Sequence, residues 1–211
     1  LPGVEIVAAT VEGGVYAFRG DGTPLWETPV VVDLVPAAPV VANRGGEPVV
    51  LVASGSTLRT LGADGTVRSS WTLPGTVAGD PALADLDGDG SDEVVLPVVL
   101  PSALVALDSS GVAPAGLGWP VPLATAPQGP PVAGHLRGDG RPGVLAMTQA
   151  GLVALTDSAR WIAAFPKPGG AGRWPTLAAL SDDGATRVAA GTGADSVLFV
   201  YDAGAGSGHA T

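Results

Sequence analysis

Residues 81–96 read Pro81-Ala-Leu-Ala-Asp-Leu-Asp-Gly-Asp-Gly-Ser-Asp-Glu-Val-Val-Leu96. Inside this stretch Asp85–Glu93 alternates carboxylates with glycines, then runs directly into the apolar Val94-Val95-Leu96. Oxygen donors at the first, third and fifth places, a glycine at the sixth and an acid at the ninth make a compact calcium loop. Calcium takes roughly six to eight hard oxygens in a flexible cage, and glycine lets the backbone turn tightly enough to present them. In this pattern Asp85, Asp87, Asp89 and Glu93 offer side-chain oxygens and Ser91 its carbonyl, while Asp92 is expected to face solvent.

The frame around the loop recurs. Pro131-Val-Ala-Gly-His-Leu-Arg-Gly-Asp-Gly-Arg-Pro-Gly-Val-Leu-Ala146 aligns with it, and so does Pro175-Thr-Leu-Ala-Ala-Leu-Ser-Asp-Asp-Gly-Ala-Thr-Arg-Val-Ala-Ala190. A shortened copy starts at Pro39, so the four prolines are separated by 42, 50 and 44 residues. A second motif repeats in step: Val15–Phe18, Thr57–Leu61, Ala103–Leu107, Leu152–Leu155 and Val197–Tyr201. Turns such as Gly20-Asp21-Gly22 and Ala63-Asp64-Gly65 follow, then an aromatic, at Trp26, Trp71, Trp119 and Phe165. Asp-Gly supplies the positive φ that tight hairpins need.

Each unit therefore reads strand, loop, strand, turn, strand, turn, strand. Four antiparallel strands at a period of about 45 residues predict an all-β chain built as a β-propeller. The units run approximately over 1–35, 36–78, 79–126, 127–172 and 173–205, with a flexible Gly/Ser-rich tail at 206–211. About five units result, and both terminal blades are expected to be incomplete. The first would lack its opening strand and the last its fourth. The ring is then completed by further blades or another chain, or closes as five blades with trimmed ends.

Composition agrees with this reading. Of 211 residues 32 are Gly and 20 are Pro, yet 46% are hydrophobic, which suits many short strands divided by turns and disfavours disorder. The net charge of −10, without a basic cluster, argues against nucleic acid or an anionic membrane as partner. There is no cysteine, so disulfides and thiolate metal sites are excluded. The longest apolar run, Val94–Leu107, contains Pro97, Pro101 and Ser102 and is too short for membrane insertion.

The Asp85–Glu93 loop between two strands of such a repeat resembles the FG-GAP/VCBS-type repeats of integrin α propellers and bacterial extracellular proteins. Gly14-Val-Tyr-Ala-Phe-Arg-Gly-Asp-Gly-Thr-Pro-Leu-Trp26 also resembles the more generic quinoprotein-type repeat. The FG-GAP resemblance implies a calcium ion at the propeller rim, held by Asp85, Asp87, Asp89, Ser91 and Glu93. It covers nearly the whole chain, but only the third unit carries the full loop. In the fourth unit His135, Arg137 and Gly143 replace three ligands, leaving Asp139. In the fifth only Asp183 stands at a ligand position, beside Asp182, and Arg187 takes the last. One calcium site is expected and no second. An EF-hand is ruled out because Leu96 stands where its bidentate glutamate would be.

The aromatics Trp26, Trp71, Trp119 and Phe165 suit packing between blades better than sugar stacking, whereas Trp161 and Trp174 lie out of register and are candidates for exposed contacts. Two Arg-Gly-Asp tripeptides, at Arg19–Asp21 and Arg137–Asp139, belong to repeat turns rather than to a receptor-recognition motif. With only His135 and His209, and no nucleophile elbow, metalloprotease motif or phosphate loop, the chain is not expected to be an enzyme. The expectation is an extracellular, calcium-binding, non-catalytic scaffold for a protein or glycan ligand. Its alternatives are an accessory domain of a larger secreted hydrolase or lyase, and a structural module completing its ring with another chain.

Overall fold

The computed structural model describes residues 5–44, 46–136, 140–163 and 165, together with the backbone of the strands that follow. The elements in chain order are β1 (Ile6–Ala9), β2 (Gly14–Phe18), β3 (Val30–Val31), β4 (Val40–Arg44), β5 (Glu47–Ser54), β6 (Thr57–Leu61) and β7 (Val67–Thr72). Then come β8 (Thr76–Val77), β9 (Ala82–Ala84), β10 (Glu93–Val99), β11 (Ala103–Leu107), β12 (Val121–Pro122), β13 (Val132–His135), β14 (Pro142–Thr148) and β15 (Gly151–Thr156). The chain finishes with β16 (Thr176–Ala179), β17 (Thr186–Gly191), β18 (Leu198–Asp202) and β19 (Gly208–Ala210). The fold is all-β, with no helix among the described residues.

Five antiparallel sheets follow one another along the sequence: β1-β2-β3, β4-β5-β6-β7, β12-β11-β10 with β8 and β9 both on β10, β13-β14-β15, and β16-β17-β18-β19. Each is an open meander whose neighbours in sequence are neighbours in space. Two expectations are corrected. The tail at 206–211 is not wholly a tail, because Gly208–Ala210 pairs with Phe199–Tyr201 as the fourth strand of the last sheet. The boundary expected at 78/79 also moves, because Thr76 and Val77 already pair with Val99 and Val98 of the third sheet. The missed signal is the break at Ala78–Pro81: proline cannot donate to the ladder, so one first strand is split into β8 and β9.

The core lies between sheets. Strand side chains alternate faces, and in the middle sheets both faces are buried. Along β10, Val94, Leu96 and Val98 join a cluster with Leu51, Ala53 and Leu58 of the second sheet. Val95 points the other way, with Leu104 and Ala106, into a cluster with Val144, Ala146, Val153 and Leu155 of the fourth. Likewise Val50 and Val52 leave the second sheet toward Val15 and Ala17 of the first. The first four sheets thus stack face to face in chain order, which explains why β10, β11 and β15 read as near-continuous apolar runs. Each fully buried leucine in these layers, such as Leu96 or Leu104 at 0% exposure, contributes roughly 1.5–3 kcal/mol.

The repeat aromatics close these joints. The Trp26 indole N–H donates to the Ala63 carbonyl (2.9 Å), in the β6–β7 turn of the next sheet. That of Trp119 donates to the Asp157 carbonyl (2.9 Å), in the turn after β15. Trp71 lies on Gly111 in the turn after β11, and Phe165 packs partly buried beside Leu145, Met147 and Leu152. The expectation of packing between units is met for Trp26, Trp71 and Trp119, and Trp161, 49% exposed, stands outside that set as expected. Trp174 lies outside the described residues.

Candidate metal centre

The acidic loop connects β9 to β10, and its shape follows from short-range hydrogen bonding. Asp85 accepts the amides of Gly88 (2.7 Å) and Gly90 (3.0 Å) through its two carboxylate oxygens. Asp87 accepts the Asp89 amide (3.1 Å) and Asp89 the Ser91 amide (2.7 Å), the Asx-turn habit of aspartate. Gly88 and Gly90 sit at φ of 81° and 86°, where a side chain is strained although nothing crowds either position. These turns fold the chain so that Asp85, Asp87 and Asp89 bring carboxylate oxygens within 4.8 Å of one another. Three like charges so close repel unless a cation neutralises them. The donors are hard oxygens on a largely exposed loop, so the cluster fits a hard metal ion and could hold one.

Glu93 is placed differently from the three aspartates. It opens β10 with its side chain under the loop, 1% exposed, and one oxygen accepts the amides of Leu86 (2.6 Å) and Asp87 (3.4 Å). Burial, opposed by the Leu86 hydrogen bond and reinforced by the charges of Asp87 and Asp89, pushes its carboxyl up to about 7. Glu93 thus anchors the loop's start to the sheet. Ser91 contributes its amide to Asp89, as above.

Asp92 does not simply face solvent, which corrects the expectation. Its carboxylate accepts the Asn43 amide (3.0 Å) and its own amide donates to the Asn43 carbonyl (3.1 Å), tying the loop to the end of β4 in the preceding sheet. Next to that clamp Arg44, 9% exposed, donates to the carbonyls of Leu107 and Asp108 and lies over the Trp71 ring at 5.9 Å. Burial lowers its pKa, against the opposing charges of Glu93, Asp108 and Asp92. Arg44 occupies the register of Leu86 and Leu136, both 3% exposed. Sequence reasoning missed this pair because the second unit's loop is shortened. The clue was an arginine at a position where the other copies carry a leucine.

Beside the loop a groove of about 220 Å³ is lined by Leu83, Ala84, Asp85, Gly134, His135 and Pro142. Asp85 and His135, the first loop positions of adjacent units, thus share one wall-to-wall cleft. His135 is exposed at the end of β13, and Gly143, at the last loop position of its unit, pairs with Thr156. Arg137 and Asp139, with their tripeptide, lie outside the described residues, as do Asp182, Asp183 and the side chains of Arg187 and His209. The Arg19–Asp21 tripeptide is a hairpin turn in which Asp21 accepts the amide (2.9 Å) and hydroxyl (2.7 Å) of Thr23 and Arg19 donates to the Pro24 carbonyl (2.6 Å). No helix among the described residues is long and apolar enough to cross a membrane.

No family model and no curated protein matches the chain. Solved structures do. The V. cholerae biofilm matrix protein Bap1 superposes with a TM-score of 0.69 at 18% identity, over 99% of this chain and 35% of that one. BBS1N, solved in complex with ARL6DN, gives 0.64 at 16% identity over 100% and 61%. The C-terminal domain of Pseudomonas aeruginosa PilY1 gives 0.61 at 14% over 93% and 56%, and the dihydro-heme d1 dehydrogenase NirN gives 0.55 at 16% over 99% and 53%. At these identities the likeness is one of fold. The chain spans between about a third and three fifths of the length of those chains.

Proposed function

We propose that this chain is a non-catalytic, extracellular binding scaffold of the FG-GAP/VCBS type, a β-propeller or part of one, with a calcium ion at its rim. The observation that carries the reading is the Asp85–Asp87–Asp89 convergence on a loop whose neighbours Asp92 and Glu93 fasten it to two adjacent sheets. An ion there would be held by the three aspartates, with Glu93 and the Ser91 carbonyl completing the set, and would stiffen a joint rather than activate a substrate. Face-to-face stacking of successive meanders supports the propeller. Fold likeness to a biofilm matrix protein, and to a domain crystallised with a protein partner, supports adhesion or protein binding as the task. The division of labour is general: a rigid stack carries recognition on its loops.

Calorimetric titration with calcium tests the site. One binding event is expected, absent in Asp87→Ala and Asp89→Ala, with affinity rising as pH increases because protonated carboxylates cannot bind. No heat at millimolar calcium, or a stoichiometry of two, would overturn it. The scaffold role is tested separately by binding of the labelled chain to glycan arrays and to immobilised extracellular proteins, with and without calcium. Turnover of a substrate by the purified chain would refute the non-catalytic reading.

A further inference from the structure

At the joint between the first two sheets a cleft of about 440 Å³ remains, between the end of the β2–β3 connection and the β6–β7 turn. Its volume falls within the roughly 300–1,000 Å³ of small-ligand clefts. Leu25, Pro29 and Val30 give it an apolar wall beside the Trp26 indole, itself 8% exposed. The donors along it are spent. The Trp26 N–H goes to the Ala63 carbonyl (2.9 Å), and the amides of Leu25 and Gly65 go to the carbonyls of Ala17 (2.7 Å) and Gly62 (2.9 Å). The amide (3.1 Å) and hydroxyl (2.7 Å) of Thr66 both go to Asp64.

Two carboxylates remain as acceptors. Glu27 is exposed and has no hydrogen-bond or ion-pair partner among the described residues. Asp64 offers one oxygen to Thr66, and no described residue hydrogen-bonds the other. The Thr66 hydroxyl and amide hold the Asp64 carboxyl below the usual carboxylate range, so it is charged at neutral pH. No basic side chain lines the cleft, and Arg68, whose charge reaches Asp64, pairs with Glu47 (3.2 Å). Neither acid is needed by the joint. The residue after the repeat aromatic is Glu27 here but Thr72, Pro120 and Pro166 in the later units, and the turn position of Asp64 is taken by Ser110 and Ser158 in the next two turns. Those turns meet Trp71 and Trp119 without an acid at either position.

We infer that this cleft is a glycan subsite selective for amino sugars, in which the ammonium and hydroxyls of a glucosamine residue donate to Glu27 and Asp64 while its C–H face lies on Leu25, Pro29 and Val30. A cleft of acceptors on a chain of net charge −10 repels uronates and sulfated sugars and favours a cationic, donor-rich ligand. A bare metal ion would leave the apolar wall unused, whereas a sugar ring brings both an apolar face and several donors. The inference rests on the glycan arm of the proposed scaffold role and requires no calcium ion.

The test is calorimetric titration of the full chain with oligoglucosamine, in a metal chelator and at a mildly acidic pH that keeps the sugar amine protonated. One binding event is expected, and the N-acetylated oligomer of equal length, which lacks the ammonium, should bind about tenfold more weakly. Glu27→Gln and Asp64→Asn should each weaken binding by about tenfold, the scale of one charge-assisted hydrogen bond. Asp64→Asn keeps an oxygen for Thr66, and Glu27 is exposed, so both variants are expected to fold with an unchanged melting temperature. Asp21→Asn removes the same charge from the matching turn outside the cleft and should leave binding unchanged. No binding at millimolar oligoglucosamine, equal affinity for the N-acetylated oligomer, an equal loss in Asp21→Asn, or oligolysine bound as tightly as oligoglucosamine would each overturn the subsite. A chain that binds other glycans or proteins but not oligoglucosamine would sink the subsite alone and leave the scaffold role intact.

Discussion

Gly111→Ala is the sharpest test of how the sheets are joined. Gly111 sits at φ of 81°, and a Cβ added there would lie 2.0 Å from Nε1 and 2.2 Å from Cδ1 and Cε2 of Trp71. Alanine in the left-handed region costs about 1–2 kcal/mol. To reach ordinary contact the indole must retreat by roughly 1.5 Å, given carbon–carbon optima near 3.5–4.0 Å. Trp71 is packed against the cluster of Leu51, Leu58 and Leu96 and lies under Arg44, so that retreat overpacks a filled joint. Overpacking costs about 1–3 kcal/mol, which brings the total to roughly 2–5 kcal/mol. Gly22→Ala is the matched control, with φ of 85° and open space, and should cost only the backbone term of about 1–2 kcal/mol. Urea unfolding followed by tryptophan fluorescence reads both variants. If the two lie within about 0.5 kcal/mol of each other, the contact of Trp71 with Gly111 contributes nothing to the joint between those sheets, since separations that small are within ordinary surface effects.

The remaining predictions use the same assays. Ala159 holds φ of 58° where the other turns have glycine, so Ala159→Gly should stabilise the chain by about 1 kcal/mol, less any lost methyl contact. Asp92→Ala removes the carboxylate that receives the Asn43 amide and should cost about 1–3 kcal/mol, with a smaller loss in an Asn43→Pro background, where the donor is gone. For Asp108, burial alone would raise the pKa from 3.8. The Ser110 hydroxyl, the Val112 and Ser110 amides and the Arg44 charge outweigh it and hold the group below that value. Asp21, chiefly through the Thr23 amide, and Asp64, chiefly through the Thr66 hydroxyl, are depressed as well. Carboxyls depressed by folding stabilise the native state above their unfolded pKa and release that stability as pH falls through the folded values. Melting temperature should therefore fall below about pH 4, and Asp108→Asn should flatten that acid limb.

Much of the architecture was legible in the order of residues. Strand alternation, Asp-Gly turns and the proline and tryptophan periods are local signals, written within a few residues of the structure they cause, so the five units and the β9–β10 loop were readable. The Asp85, Asp87 and Asp89 convergence belongs here too, since each carboxylate is positioned by amides no more than five residues away. The split of one strand into β8 and β9, and the last strand at 208–210, were not readable, because strands of two or three residues carry almost no period and exist only by pairing with a partner already in place.

What only the tertiary structure decided is what the repeats do to one another. Asp92 clasping Asn43 joins positions 49 apart, the Arg44 reach to Asp108 spans 64, and the Trp119 bond to Asp157 spans 38. No local pattern encodes such contacts, since each depends on the distance between two stacked sheets. By itself the sequence determined an all-β chain of repeated units with one complete acidic loop, because turn chemistry and side-chain alternation act over a few residues. The tertiary structure decided that this loop is also the fastening between two sheets, because such a contact depends on neighbours rather than on residues.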